Sequence, residues 1–153
     1  MNKGVMTALT TIGIAQFLKI PIKKIKTGKW DWKTFTETGG MPSSHSAGVT
    51  SLATYIALER GTPTIDFALA SVFGLIVMYD AQGIRRQTGE LTIAVNQLDE
   101  KLERIQGERE THQHDRRQRK LKEMLGHQPE EVVGGALLGV LAGAISHILT
   151  NKR

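Results

Sequence analysis

The chain contains no cysteine. A disulfide framework and every chemistry that needs a thiol are therefore excluded. No cleavable leader is expected either: only Lys3 precedes the first apolar run, and Lys19 closes it without a small-residue cleavage site. Charge is missing over long stretches. Positions 4–18 are uncharged, and positions 132–151 hold no Lys, Arg, Asp or Glu. The 153 residues fit one domain. A charged fraction of 23% describes a soluble protein only on average, because the charges are segregated. Of the twenty Lys and Arg, ten lie between Arg85 and Lys122 and six between Lys19 and Lys33.

Read in order, the apolar runs predict an all-α membrane bundle of about four spans, at 4–22, 43–59, 63–82 and 130–150. The first is short for a span of about 20 residues unless Lys19 snorkels and Ile20, Pro21 and Ile22 are included. The last is the strongest candidate. Its Gly135, Gly139 and Gly143 recur every four residues, which puts a small-residue ridge on one face where another helix can approach closely. Between the first two runs, basic residues interleave with Trp30 and Trp32. That composition suits a membrane interface or a nucleic acid; the flanking apolar helices favour the membrane, with no nucleic-acid partner expected.

A polar helical insertion, about 86–125, separates the last two spans. In it Leu91, Val95, Leu98, Leu102 and Ile105 follow a four-three-four-three spacing, as on a coiled-coil seam. Gly107 interrupts, eight of the thirteen residues 108–120 are charged and two more are His, and a second short helix is expected over 116–125. His112 and His114 have metal-ligand chemistry, but a charge run of this kind is usually a solvated face.

Two stretches carry reactive groups. The first is Gly39-Gly40-Met41-Pro42-Ser43-Ser44-His45-Ser46-Ala47. Its glycines and proline make a turn, Pro suits a first helical turn, and Ser is a preferred N-cap. Free N–H groups and hydroxyls at a helix start suit an anion, and a neighbouring His can give a proton to a leaving oxygen. The second is Leu125-Gly126-His127-Gln128-Pro129-Glu130-Glu131. A carboxylate four residues after a His shares its helix face, fixes its tautomer, and leaves the other ring nitrogen free to attack.

Together these stretches resemble the type 2 phosphatidic acid phosphatase superfamily, which includes vanadium-dependent haloperoxidases. Pro42-Ser43-Ser44-His45 looks like its Pro-Ser-Gly-His motif, with Ser44 in place of Gly. His127 and Glu131 look like its later His and Asp, with Glu in place of Asp. With Met78-Tyr79-Asp80-Ala81-Gln82-Gly83-Ile84-Arg85-Arg86, the order of motifs is closest to the small divergent PAP2 branch. The resemblance implies that His127 attacks phosphorus, oriented by Glu131, and that His45 is the acid. Ser43, Ser44, Lys19, Arg85 and Arg86 are the expected phosphate-binding residues. Asp80 either pairs with Arg85 or takes part in catalysis. No cofactor and no metal are needed. The superfamily's usual Arg before the nucleophilic His has no counterpart, since Leu121 holds that position, and its first motif is not matched.

Four spans put both basic blocks on one side, which the positive-inside rule makes cytoplasmic, with His45 and His127 on that same side. The implied activity is removal of a lipid phosphate or pyrophosphate head group through a phosphohistidine at the cell membrane. An inactive lipid-binding or assembly protein on the same scaffold is the alternative, and a haloperoxidase-like vanadate enzyme ranks last. Four helices fall short of the superfamily's usual six-helix core, which leaves room for a homodimer.

Overall fold

The computed structural model describes residues 2–37, 39–106, 121 and 126–151. Those residues form five α-helices and one short 3-10 helix, with no strand among them: α1 Lys3–Thr27, the 3-10 helix Trp32–Thr36, α2 Ser44–Arg60, α3 Ile65–Gln82, α4 Ile84–Gln106 and α5 Pro129–Thr150. Most of the punctuation is local chemistry. Asn2 caps α1 by accepting from the Val5 N–H, Ser43 caps α2, and Thr64 caps α3 by accepting from the Phe67 N–H. Gly28 ends α1 with φ 73°, and its N–H closes on the Lys24 carbonyl.

Two boundaries differ from the sequence expectation. α1 runs on through Pro21 to Thr27, so the basic block begins on its last turns rather than in a loop. Pro42 precedes the Ser43 cap instead of opening the helix. The hydroxyl cap sets the start of α2, and the proline belongs to the turn before it.

α2 is the hub, packing against α1, α3 and α5, while α1 and α3 do not touch each other. At one end the Ser43 N–H donates to the Glu131 carbonyl at 2.9 Å. At the other, the Tyr55 hydroxyl lies 3.1 Å from Thr150 Oγ1. α2 and α5 therefore run side by side in the same direction, and α1 and α3 run against them. Ties from α1 to α5 agree: Thr7 Oγ1 to Ser146 Oγ at 2.6 Å, and Lys3 Nζ to the Thr150 carbonyl at 3.3 Å.

The interior is small and hydroxylated. Thr7, Thr11, Ala15, Ser43, Ser46, Ala47 and Ser51 are buried, whereas Leu69, Phe73, Ile76, Leu137, Leu141 and Leu149 are more than half exposed. Water would penalise such a surface, and an apolar solvent favours it. The ridge of Gly135, Gly139 and Gly143 meets α2 directly. A Cβ on Gly139 would collide with Thr50 Oγ1 and the Ala47 carbonyl, and one on Gly143 would lie 2.6 Å from the Ser51 carbonyl. This close approach lets Thr50 Oγ1 reach the Ala136 carbonyl of α5 at 3.2 Å.

Three stretches are long and apolar enough to cross a membrane: Lys3–Thr27, Ile65–Leu102 and Pro129–Thr150. The fourth expected span, α2, has 17 residues. At 1.5 Å per residue it reaches about 25 Å, and it ties to α5 at both ends. It is the shorter inner helix of the bundle. Trp30 and Trp32 stack with centroids 6.1 Å apart just beyond α1, and Lys24 stands 4.1 Å over the Trp30 ring. Exposed indoles beside lysines suit an interface position.

Candidate active site

The site lies at the bundle end where α1 finishes and α2 and α5 begin. His45 occupies the first turn of α2. His127 stands just before α5, outside the helix, since Gln128 is the N-cap and Pro129 the first helical residue. The His127–Glu131 contact therefore does not arise from two residues on one helix face. Glu131 is the third residue of α5 and folds back over its start, as in a capping box. Its Oε2 lies 3.0 Å from His127 Nδ1 and accepts the Gln128 N–H at 3.2 Å. The His127 N–H is held by the Ala81 carbonyl at 3.0 Å, which ties the loop to the end of α3.

This geometry fixes the imidazole. With Nδ1 committed to Glu131, the proton sits on that side and Nε2 carries the lone pair. His127 is 2% exposed, and its Nε2 has no hydrogen-bond partner among the described residues. The ring of His45 meets it edge-on, centroids 5.8 Å apart and planes at 72°. An imidazole nitrogen without a hydrogen-bond partner among the described residues and a second imidazole thus lie side by side at one bundle end.

The other expected residues divide. Ser43 is fully buried, and its Oγ serves as the helix cap, accepting from the Ser46 N–H at 3.3 Å and the Ser46 hydroxyl at 3.0 Å. Ser44 is buried at the first position of α2. Lys19 does not snorkel outward. It is 2% exposed, and its Nζ donates to the Glu37 carbonyl at 3.3 Å. It lines a cavity of about 220 Å³ shared with Thr34, Gly39, Gly40, Met41 and Glu131, a cavity that His45 and His127 do not border. Nearby, Lys23 bridges Asp31 and Glu37, both at 2.9 Å, and with the Lys33 N–H holds the Asp31 carboxyl below its usual value. Arg86 pairs with Glu90 at 3.0 Å. The side chain of Arg85 lies outside the described residues, as do His112, His114 and the expected helix at 116–125. Asp80 is half-buried on the last turn of α3, next to Ala81.

Sequence reasoning missed the backbone clasp from Ala81 and the Ser43–Glu131 link. Main-chain donors leave no signature in residue type. Among the described residues no three His, Asp or Glu gather in a metal-holding group. A larger hollow of about 660 Å³ lies at the opposite end, between α1, α2 and α3.

A relative from Bacillus subtilis (strain 168), described as the uncharacterized membrane protein YuiD, is 44% identical over 143 residues. The match covers 92% of this chain and 90% of the relative. No solved structure matches. The family model described as the divergent PAP2 family matches residues 1–142, which include both histidine loops, α2 and the ridge glycines Gly135 and Gly139 of α5. The two halves of the site and the scaffold that joins them fall within one match, and the chain belongs to the divergent PAP2 family.

Proposed function

We propose that this chain is a membrane phosphatase that removes a phosphate or pyrophosphate head group from a lipid. The observation that carries the reading is the state of His127: Nδ1 bound to Glu131, Nε2 buried and uncommitted, His45 alongside. The Nε2 lone pair attacks phosphorus as the bond to the leaving oxygen breaks, and His45 donates the proton that oxygen needs. Water then attacks the phosphohistidine, gives its proton back to His45, and frees phosphate. Glu131 stabilises the ring while it carries positive charge. Backbone N–H groups at the start of α2 suit phosphate oxygens. With Ser43 engaged as a cap, its contribution is to shape that turn. A guanidinium from Arg85 or Arg86 supplies the charge that this transition state calls for. Arg86 would first have to leave Glu90.

The site faces the cytoplasm of a multi-pass cell-membrane protein in this reading, because sixteen of twenty Lys and Arg fall at that end of the sequence pattern. A cysteine replacing Thr62 in the opposite turn should react with an impermeant reagent on intact cells, and one replacing Lys29 should not; the reverse pattern refutes the orientation.

One observation favours a second reading. The Arg86–Glu90 pair and Leu121 at the usual arginine position leave the phosphate clamp thin. A protein that binds lipid head groups without turnover fits that. Purified protein in nanodiscs with a panel of phosphorylated lipids separates the two: phosphate release abolished by His127→Ala supports the phosphatase, and lipid retention without release supports the binder.

A further inference from the structure

Helix α4 is the least covered element of the fold. Of the other described helices it packs against α3, near their junction, and Asn96 ties it to Leu121. Its attachment uses one face. Asn96 is buried, its Nδ2 donating to the Leu121 carbonyl at 2.9 Å while its Oδ1 accepts the Leu121 N–H at 3.1 Å. Gly89 is buried and Ile93 half-buried on the same side. At 100° per residue, Leu91, Val95, Leu98 and Leu102 fall on the opposite side. They are 65%, 50%, 58% and 47% exposed. The helix is thus anchored through one stripe and presents a second, apolar stripe to its surroundings.

Three features identify what covers that stripe. In heptad terms Leu91, Leu98 and Ile105 are d positions, and Val95 and Leu102 are a positions. Leu91, Val95 and Leu98 give Leu at d with a β-branched residue at a, the pattern that favours two parallel strands, although Leu102 at a and Ile105 at d depart from it. Ile65–Leu102 is one apolar helical stretch; with α4 carrying on from α3 along the membrane normal, a two-fold axis along that normal makes the pair parallel. The charges disfavour a lipid surface. Past Arg86 the helix carries Glu90, Asp99, Glu100 and Glu103 against Lys101 and Arg104. A helix lying on an anionic leaflet needs Lys and Arg on its polar face instead. The flanking e and g positions Thr92, Ala94, Asp99 and Lys101 bring no like charges together between the g of one copy and the following e of the other.

The geometry points to α4 as the dimerisation helix: its Leu91–Val95–Leu98–Leu102 face packs against the same face of a second copy as a parallel two-stranded coiled coil on the histidine side of the membrane. The paired helices would hold two active sites at fixed spacing over one leaflet.

The absence of native cysteine makes the test direct. Val95→Cys, Leu98→Cys and, as an outer-face control, Gln97→Cys are introduced singly into the full chain and oxidised in native membranes. Disulfide-linked dimer several-fold above the control at both seam positions is expected; equal or absent cross-linking overturns the proposal. Leu98→Glu and Leu98→Lys provide a second arm. Each alone should give monomer in detergent by mass, and co-expression of the two should restore a mixed dimer, which also shows that both variants fold. Variants that stay dimeric, or a mixture that stays monomeric, overturn it. So does labelling of Leu91 and Leu98 by a lipid-soluble photoprobe in a monomeric chain, the result for a helix lying on the bilayer.

Discussion

His45 opens α2 and His127 precedes α5, with α3 and the polar insertion between them in sequence, and they still meet edge-on, ring centroids 5.8 Å apart. The meeting is imposed by backbone: Ser43, the cap of the helix that carries His45, donates to the carbonyl of Glu131, the residue that orients His127. Each histidine's position therefore depends on the other's loop.

Glu131→Gln should leave lipid binding intact and lower turnover. An amide at this position can present its NH2 to Nδ1 and favour the wrong tautomer. The expected loss in kcat is up to about 10⁴-fold, the scale known for an orienting carboxylate changed to an amide. Steady-state kinetics with KM and kcat resolved is the check; an unchanged kcat would remove Glu131 from the mechanism.

His45→Ala should matter in proportion to the leaving group. With a basic alkoxide leaving, loss of a positioned acid costs about 10²–10⁴-fold. With an activated aryl phosphate, which needs no proton, the loss should be small. A uniform loss across both substrates would make His45 a structural residue.

Lys19→Met should separate two roles for a buried ammonium. Lys19 lines its cavity together with Glu131 rather than with either histidine. We expect kcat to fall by at least about tenfold, as for lost support of a ligating or catalytic group, with KM little changed. A rise in KM alone would place the ammonium on the phosphate, as the sequence reading has it.

Gly139→Leu should separate α2 from α5. The added side chain meets Thr50 and the Ala47 carbonyl, and backbone cannot yield as a flexible side chain does. Overpacking of this kind costs about 1–3 kcal/mol or more. Thermal unfolding in detergent should show a lowered midpoint, and activity should fall with it because the same helices carry both histidines. Gly13→Ala, where a Cβ meets nothing within 4 Å, is the neutral control.

The sequence made the helical architecture legible because its charges are so strongly segregated: the empty stretch 132–151 and the Gly ridge both mark α5 as a buried-on-one-side membrane helix. The contact between His127 and Glu131 was suggested by their spacing, and the meeting of His45 with His127 by the resemblance to the PAP2 motifs. What was not legible depended on backbone direction. His127 sits outside its helix, so its contact with Glu131 comes from a helix-start fold-back that a spacing of four only imitates. Lys19 reads as a snorkelling residue by its place at the end of an apolar run. The 3-10 segment and the Gly39–Gly40 turn close over it and give it the Glu37 carbonyl instead. Ser43 reads as a phosphate ligand by residue type, yet its hydroxyl is taken up by the cap it forms.

The central claim is that His127 is a nucleophile, and rapid acid-free quench of the protein with a lipid phosphate labelled at phosphorus tests it most directly. The account predicts an acid-labile, base-stable phosphoryl group on His127, formed within the first turnover and absent from His127→Ala. Turnover that persists in His127→Ala, or label that maps to another residue, would contradict it.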